Sequence, residues 1–310
     1  MDRHVIVGAG AVGTLTAHRL VELGHEVRIV TRSGSGPDLP GVERVAADAS
    51  DADALARLVD GAAALYNCAN PGDYSAWAEV WPPLAASILT TAERTGAVLV
   101  TTGNLYLYAP GTSPMTESTP VGTPTKKGTI RARMWADALA AHEAGRARVT
   151  EARASDFFGP HGGNDHLGAR FMPKVLAGKK LMHIASPDVP HSWTYLPDVA
   201  TTLVALATDE RAWGRAWHVP TNPPRTYRQM AEHVATVAGA PTPRIGTFPH
   251  ALMRAMGVAV PVMRELEEIR YQFTDPFVLD SSLTESTFGL APTSMDAAVA
   301  ATVDWWRRQA

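Results

Sequence analysis

Residues 4–13 constrain the chain more than any other stretch. They read His-Val-Ile-Val-Gly-Ala-Gly-Ala-Val-Gly. Aliphatic residues run into a Gly-x-Gly-x-x-Gly turn made by Gly8, Gly10 and Gly13, with Ala11 and Val12 between the last two. Leu15, Leu20 and Leu23 then punctuate an Ala-rich helical pattern that stops at Gly24, and residues 25–30 read as a second strand. Strand, glycine turn, helix and strand together form the unit that seats a dinucleotide pyrophosphate on a helix N-terminus. Glycines there allow a tight turn and let backbone N–H groups reach the phosphates. A turn with no ligand is the plainer reading, and the surrounding βαβ pattern argues against it.

The rest of the chain repeats the alternation. Strands are expected over 42–46, 62–66, 97–101 and 148–152, with helices over 51–59, 76–95 and 128–144 between them. This regularity predicts an α/β fold, a doubly wound parallel sheet of the Rossmann kind with right-handed crossovers. With 310 residues, the chain accommodates that domain and a smaller, mostly C-terminal substrate-binding region. Residues 1–160 are assigned to the first, completed by about 190–220 and 294–310. Residues 161–189 and 221–293 are assigned to the second. The last helix, over 294–308, is expected to pack on the Rossmann domain.

The formal net charge of −3 argues against nucleic acid or an anionic membrane as partner. No apolar run approaches the ~20 residues that span a bilayer. The single Cys68 excludes an intrachain disulfide and any Cys-based zinc site, and no metal-ligand set is assigned. No signal peptide precedes the first strand, so a cytoplasmic location is expected.

Cofactor type is read at the end of the second strand. An acidic side chain there grips the ribose hydroxyls of NAD; here Thr31-Arg32-Ser33-Gly34-Ser35-Gly36 carries none. Arg32 and Ser33 suit a 2′-phosphate, so NADP(H) is favoured over NAD(H). A solvated loop arginine is the plainer reading. Asp48 after the third strand, and Asn67 and Ala69 in the loop after the fourth, stand where open parallel sheets bind ligands.

From residue 98 onward a family resemblance becomes specific. Residues 98–106, Val-Leu-Val-Thr-Thr-Gly-Asn-Leu-Tyr, resemble the fifth strand of extended short-chain dehydrogenases/reductases, the NAD-dependent epimerase/dehydratase family. Thr116-Glu117-Ser118-Thr119-Pro120 resembles its Glu-x-x-Pro loop. Residues 153–160 resemble its Arg-x-x-Asn-x-Tyr-Gly-Pro, residues 193–200 its Phe-x-x-Val-x-Asp-Val-Ala, and Leu290-Ala291-Pro292 its Leu-Gly-x-x-Pro. The resemblance covers essentially the whole chain. It implies that Thr102 is the catalytic Ser/Thr and that Phe157 borders the cofactor. It also implies a homodimer through the helices over 76–95 and 128–144.

Departures from the pattern limit what it implies. The family's catalytic pair is Tyr-x-x-x-Lys; its Tyr exchanges a proton with a substrate oxygen, and its Lys lowers the Tyr pKa and holds the nicotinamide ribose. Here Lys127 stands at the Tyr position and Arg131 at the Lys position, which resembles an atypical branch. Arg131, with a pKa above about 12, is a poor proton donor and suits ribose or phosphate. Lys127 serves as acid or base if desolvation and the neighbouring cation depress its pKa, or it anchors phosphate or ribose. Tyr108, free to face the cleft, is a second candidate acid; Tyr106, His161 and Glu117 are weaker ones.

The stretch over 249–271 is dense in Leu, Met and Val. It is read as the core of a small helical region or as the wall of an apolar pocket. The function expected is an NAD(P)H-dependent reductase or dehydrogenase acting on a carbonyl or conjugated carbonyl of a small, fairly apolar metabolite. Two alternatives stand beside it: a nucleotide-sugar epimerase or dehydratase, and a non-catalytic NADPH-binding sensor or scaffold.

Overall fold

In a computed structural model, residues 2–72, 74–163, 165–256 and 261–309 are described. The strands of the main domain are β1 (Arg3–Val7), β2 (Glu26–Thr31), β3 (Val42–Ala46), β4 (Ala64–Asn67), β5 (Val98–Asn104) and β6 (Val149–Ala154). Those of the smaller region are β7 (Asp156–Phe158), β8 (Leu181–His183) and β9 (Trp193–Tyr195). Then come β10 (Arg215–His218), which returns to the main domain, and β11 (Ile245–Thr247). The helices in chain order are α1 (Ala11–Glu22), α2 (Ala52–Val59), α3 (Trp77–Thr95), α4 (Lys126–Glu143), α5 (Met172–Leu176) and α6 (Leu196–Thr208). They continue as α7 (Tyr227–Val237), α8 (His250–Met256), α9 (Pro261–Ile269), α10 (Ser282–Phe288) and α11 (Met295–Arg308).

The main sheet runs β10-β6-β5-β4-β1-β2-β3, and every pairing in it is parallel. This is the doubly wound order. Strand succession reverses between β1 and β4, so a crevice opens beyond the carboxyl ends of those two strands. The residues that follow them are Gly8 and Cys68.

Period-2 alternation assigns the two faces. Ile6, Ile29, Tyr66 and Val100 face α1 and α6. Val5, Val7, Val30, Leu65 and Leu99 face α2, α3 and α4. Helix α1 buries Val12, Gly13, Thr16, Ala17 and Leu20, a single stripe at helical spacing. Asp51 caps α2, its side chain accepting from the Asp53 and Ala54 N–H groups at 3.0 Å. Gly96 ends α3 in the left-handed region, at φ 71°.

The smaller region gathers a separate core from Phe171, Val175, Trp193, Tyr227, Met230, Phe273 and the Val299–Val303 face of α11. Helix α11 packs on α5 and α7, where a place on the Rossmann domain was expected. Its Ala298, Val299 and Val303 stripe suits either surface, and the short α5 leaves a face that needs covering. Within the 249–271 stretch, Met253 and Ile269 are buried and Leu266 packs against the α3 face. Residues 257–260, and with them Val258 and Val260, lie outside the described residues, as do the side chains of Leu252, Met256, Val262 and Met263. No helix among the described residues is long and apolar enough to cross a membrane.

Candidate functional site at the carboxyl end of the sheet

The three glycines of the first turn are glycine for different reasons. Gly8 has φ +101°, and a Cβ there would lie 2.8 Å from the Cys68 carbonyl oxygen. A Cβ on Gly13 would strike the Gly8 carbonyl oxygen. Both are demanded by the chain's own packing. Gly10, the N-cap of α1, has φ −69°, and a Cβ there would meet nothing within 4 Å. Nothing among the described residues requires glycine at this position. The N-terminus of α1 carries no side-chain cap and no acidic residue in its first turn. Its free N–H groups and partial positive charge are the chemistry that receives a phosphate. The open space at Gly10, with Ala11 and Val12 beginning the helix, fits a dinucleotide pyrophosphate brought against the backbone.

At the end of β2, Arg32 and Ser33 are exposed. Ser33 Oγ donates to Ser35 Oγ at 3.0 Å, and Thr31 Oγ1 donates to the Ser35 carbonyl at 3.0 Å. The hydroxyls thus form a small polar shelf beside the guanidinium, and the turn contains no carboxylate. Asp48 is exposed and accepts from the Ser50 N–H at 2.9 Å, an Asx turn that opens the approach to α2. Asn67 is buried at the end of β4; its Oδ1 accepts from the Ala69 N–H at 3.3 Å. Phe157 on β7 is half-buried against the α1 and α6 side of the core.

Thr102 and Arg131 are brought together. Arg131 Nη1 donates to the Thr102 carbonyl at 3.4 Å. Its guanidinium lies 4.2 Å from the Trp81 ring centroid and 5.1 Å from that of Trp77, a cation–π placement that holds it at the end of β5. Thr102 Oγ1 sits 3.7 Å from Cys68 Sγ. Burial pushes the Cys68 thiol up to about 12, so it is a packed residue and not a nucleophile.

Lys127 is engaged within the protein. Its side chain is 2% exposed, and its ammonium binds the carboxylates of Glu265 and Glu268, the latter at 2.6 Å. Its backbone N–H also donates to Glu268 Oε1 at 3.0 Å. Burial raises the Glu268 carboxyl, but the hydrogen bonds and charge of Lys127 outweigh it and hold the group below the usual carboxylate range. Lys127 therefore braces α9 against the first turn of α4. Its ammonium is thus already engaged by two carboxylates of the protein.

Tyr108 does not face the cleft. It is 1% exposed and lies within a buried polar chain. Arg153 Nε donates to Glu151 Oε1 at 2.7 Å, and Arg153 Nη1 donates to the Tyr108 oxygen at 2.8 Å. His218 Nε2 is 2.8 Å from that oxygen, and His218 Nδ1 is 2.7 Å from the Asp280 carbonyl. The protons follow from the end groups. A carbonyl only accepts, so Nδ1 carries the hydrogen; Nε2 then accepts from the Tyr108 hydroxyl. Burial favours the neutral imidazole that this requires. Burial also raises the Tyr108 phenol, against the opposing pull of Arg153. Glu117 is part of the same frame, accepting from the His218 N–H at 3.2 Å and from Thr284 Oγ1 at 2.9 Å. His161 is half-buried at φ 62°, with its ring 5.1 Å from that of Trp305.

A second polar cluster occupies the smaller region and was not anticipated. His191 Nε2 lies 2.9 Å from Asp156 Oδ2. The His166, His183 and His191 rings all pack on Phe273. Burial drives His183 down to about 4. Asp156 is raised by burial, but His166 and His191 more than offset this and hold it below the carboxylate range. Histidines scattered over 25 residues show no pattern in the sequence; only the fold collects them.

The chain matches the NAD dependent epimerase/dehydratase family over residues 4–219. No curated protein matches its sequence. The structure of Pal from Bacillus thuringiensis superposes with a TM-score of 0.79 at 16% identity, covering 99% of this chain and 100% of that one. UDP-glucose 4-epimerase from Thermotoga maritima, determined with UDP-glucose, gives 0.81 at 14%, covering 99% of each chain. The dTDP-glucose 4,6-dehydratase of Bacillus anthracis, determined with NAD, gives 0.78 at 16%, covering 99% and 97%. At these identities the likeness is one of fold.

Proposed function

The chain belongs to the NAD-dependent epimerase/dehydratase family, and from that premise we propose that it is an NADP(H)-using oxidoreductase. Its substrate in this reading is a carbonyl or conjugated carbonyl of a small, fairly apolar metabolite. The observation that carries the reading is the open space at Gly10 above an uncapped helix N-terminus, together with a β2 end that offers Arg32 and Ser33 and no acid. A nicotinamide dinucleotide bound there supplies or accepts a hydride. Backbone N–H groups of α1 hold its pyrophosphate, and Arg32 and Ser33 hold its 2′-phosphate. Arg131, fixed on the two indoles, holds ribose hydroxyls at the end of β5. Thr102 Oγ1 hydrogen-bonds the substrate oxygen. The proton reaches that oxygen from solvent through Thr102, because Lys127 is engaged by two carboxylates and Tyr108 by Arg153 and His218.

Those same engagements favour, as a second reading, a dinucleotide-binding protein without turnover. One experiment separates the readings. NADPH and NADH are titrated by nucleotide fluorescence, and NADPH consumption is followed across a panel of apolar aldehydes, ketones and enones. Tighter binding of NADPH, an Arg32→Asp variant that loses about tenfold toward NADPH alone, and consumption that falls in Thr102→Ala are expected. Binding without consumption by any substrate selects the second reading. Equal binding of the two nucleotides by wild type and Arg32→Asp overturns the NADP assignment.

A further inference from the structure

The opposite end of the sheet carries an arrangement unrelated to the dinucleotide. Asp2 precedes β1, His4 is its second residue, and His25 lies in the turn between α1 and β2. The register sets Arg3 beside Glu26, and the Glu26 N–H donates to the Asp2 carbonyl at 3.1 Å. Strand pairing therefore holds Asp2 and His4 against the residue before Glu26. One ligand atom from each of Asp2, His4 and His25 lies within 4.8 Å of the others. The two rings meet edge to face at 4.6 Å.

Two of these atoms are left unsatisfied. His4 is 1% exposed, yet its Nε2 has no hydrogen-bond partner among the described residues, and neither does the buried Nδ1 of His25. Buried ring nitrogens ordinarily find partners, and two orphaned ones in a cluster that also holds a carboxylate point to a ligand that accepts lone pairs. The other nitrogen of His4 supports this. His4 Nδ1 lies 3.2 Å from the Tyr66 hydroxyl oxygen. When Nδ1–H donates to that oxygen, Nε2 is the nitrogen that carries the lone pair. An imidazole oriented by an outer hydrogen bond is the usual support of a metal ligand.

We propose that His4 Nε2, His25 Nδ1 and the Asp2 carboxylate bind a divalent transition cation of the zinc class, with water completing the coordination. Two imidazoles and one carboxylate suit such an ion better than magnesium or calcium, which take all-oxygen sets. Ligand atoms around tetrahedral zinc stand about 3.3 Å apart. Asp2, which is exposed and lies ahead of the strand, is the ligand best able to move to that spacing. The ion clips the start of β1 to the α1–β2 turn, at the far end of the sheet from Gly10. Its effect is on stability, and it takes no part in the redox step.

The test uses the full chain, stripped with chelator and titrated with Co2+ and then Zn2+. One equivalent of Co2+ is expected to give a visible d–d band that Zn2+ displaces, and excess Zn2+ to raise the Tm. His25→Ala and Asp2→Asn, confirmed folded by circular dichroism, lose the band or weaken Zn2+ binding at least about tenfold. Tyr66→Phe, which keeps all three ligands, weakens it about tenfold through the lost outer hydrogen bond. No stoichiometric binding near millimolar ion overturns the proposal. A one-to-one signal of wild-type strength in both His25→Ala and Asp2→Asn overturns it equally, because the ion then lies elsewhere.

Discussion

The glycine turn after β1 and the first turn of α4 border the same crevice and are built on opposite plans. At the glycine turn the protein leaves its polar groups unanswered. Helix α1 begins with no cap, and the space at Gly10 is open. At α4 the protein answers its own charges. Lys127 is held by Glu265 and Glu268, and Arg131 lies on Trp77 and Trp81. Unanswered groups await a ligand, whereas answered ones stabilise the fold. A motif position therefore predicts chemistry only while the side chain standing there is not already engaged by the protein itself.

The sharpest way to break this comparison lies within the turn. Gly13→Ala drives a Cβ into the Gly8 carbonyl oxygen, and backbone on backbone leaves little room to relax. Denaturant unfolding is expected to show a loss of more than about 3 kcal/mol. Gly10→Ala meets no atom. It should lose only about 0.5 kcal/mol, as an N-cap Gly→Ala change does, yet weaken dinucleotide binding at least tenfold. If both variants are equally unstable, Gly10 is a structural glycine and the open space has no functional meaning.

The two regions also differ in how far the sequence exposed them. Aliphatic runs at period 2, helices at period 3.6 and the glycine spacing made β1 through β6 and the switch point legible, because each of those signals is local. Gly10 was found for the same reason. The partners of Lys127 lie 138 and 141 residues downstream, in a segment where Arg and Glu residues are interspersed. Nothing local marks Glu265 and Glu268 as a clamp. Glu151 and Arg153 lie within a wholly buried strand, a placement that their charge argues against until Gly103 is considered. A Cβ at Gly103 would stand 2.8 Å from the Glu151 carboxyl carbon, so that glycine makes room for the buried acid. Likewise, the stripe on α11 declares that the helix is buried but not which surface covers it.

The next largest effect tests the α4 side. Lys127→Met keeps the apolar stem and removes the charge, leaving two half-buried carboxylates side by side. A loss of about 2 kcal/mol is expected at neutral pH, less than for a fully buried pair because both glutamates retain some solvent. Glu268 is held below its ordinary value of 4.5, so the stabilisation it draws from Lys127 is fully present above that pH and fades as pH falls below it. Wild type and Lys127→Met should therefore converge in stability as the solution is acidified. Were Lys127 instead the proton donor, the variant would abolish turnover while leaving this acid-side difference absent.

A smaller loss than that of Lys127→Met comes from Tyr108→Phe, and it is the most discriminating. The ring stays, and its volume is unchanged to within one oxygen. Only the hydroxyl that joins Arg153 to His218 is lost. Arg153 Nη1 and His218 Nε2 are then left without it in a buried site, and a loss of about 1.5 kcal/mol follows from the unsatisfied groups. His218 keeps its bond to the Asp280 carbonyl, so the neutral tautomer and the local backbone persist. A purely structural hydroxyl lowers the Tm and leaves kcat/KM and its pH profile as in wild type. A proton donor does the reverse, with turnover collapsing by a hundredfold or more at little change in Tm. His218→Gln sharpens the outcome, since it cuts the same chain from the other side. If the two variants match in stability loss and neither moves the pH profile, the Glu151–Arg153–Tyr108–His218 chain is framework throughout, and Tyr108 is not the proton donor.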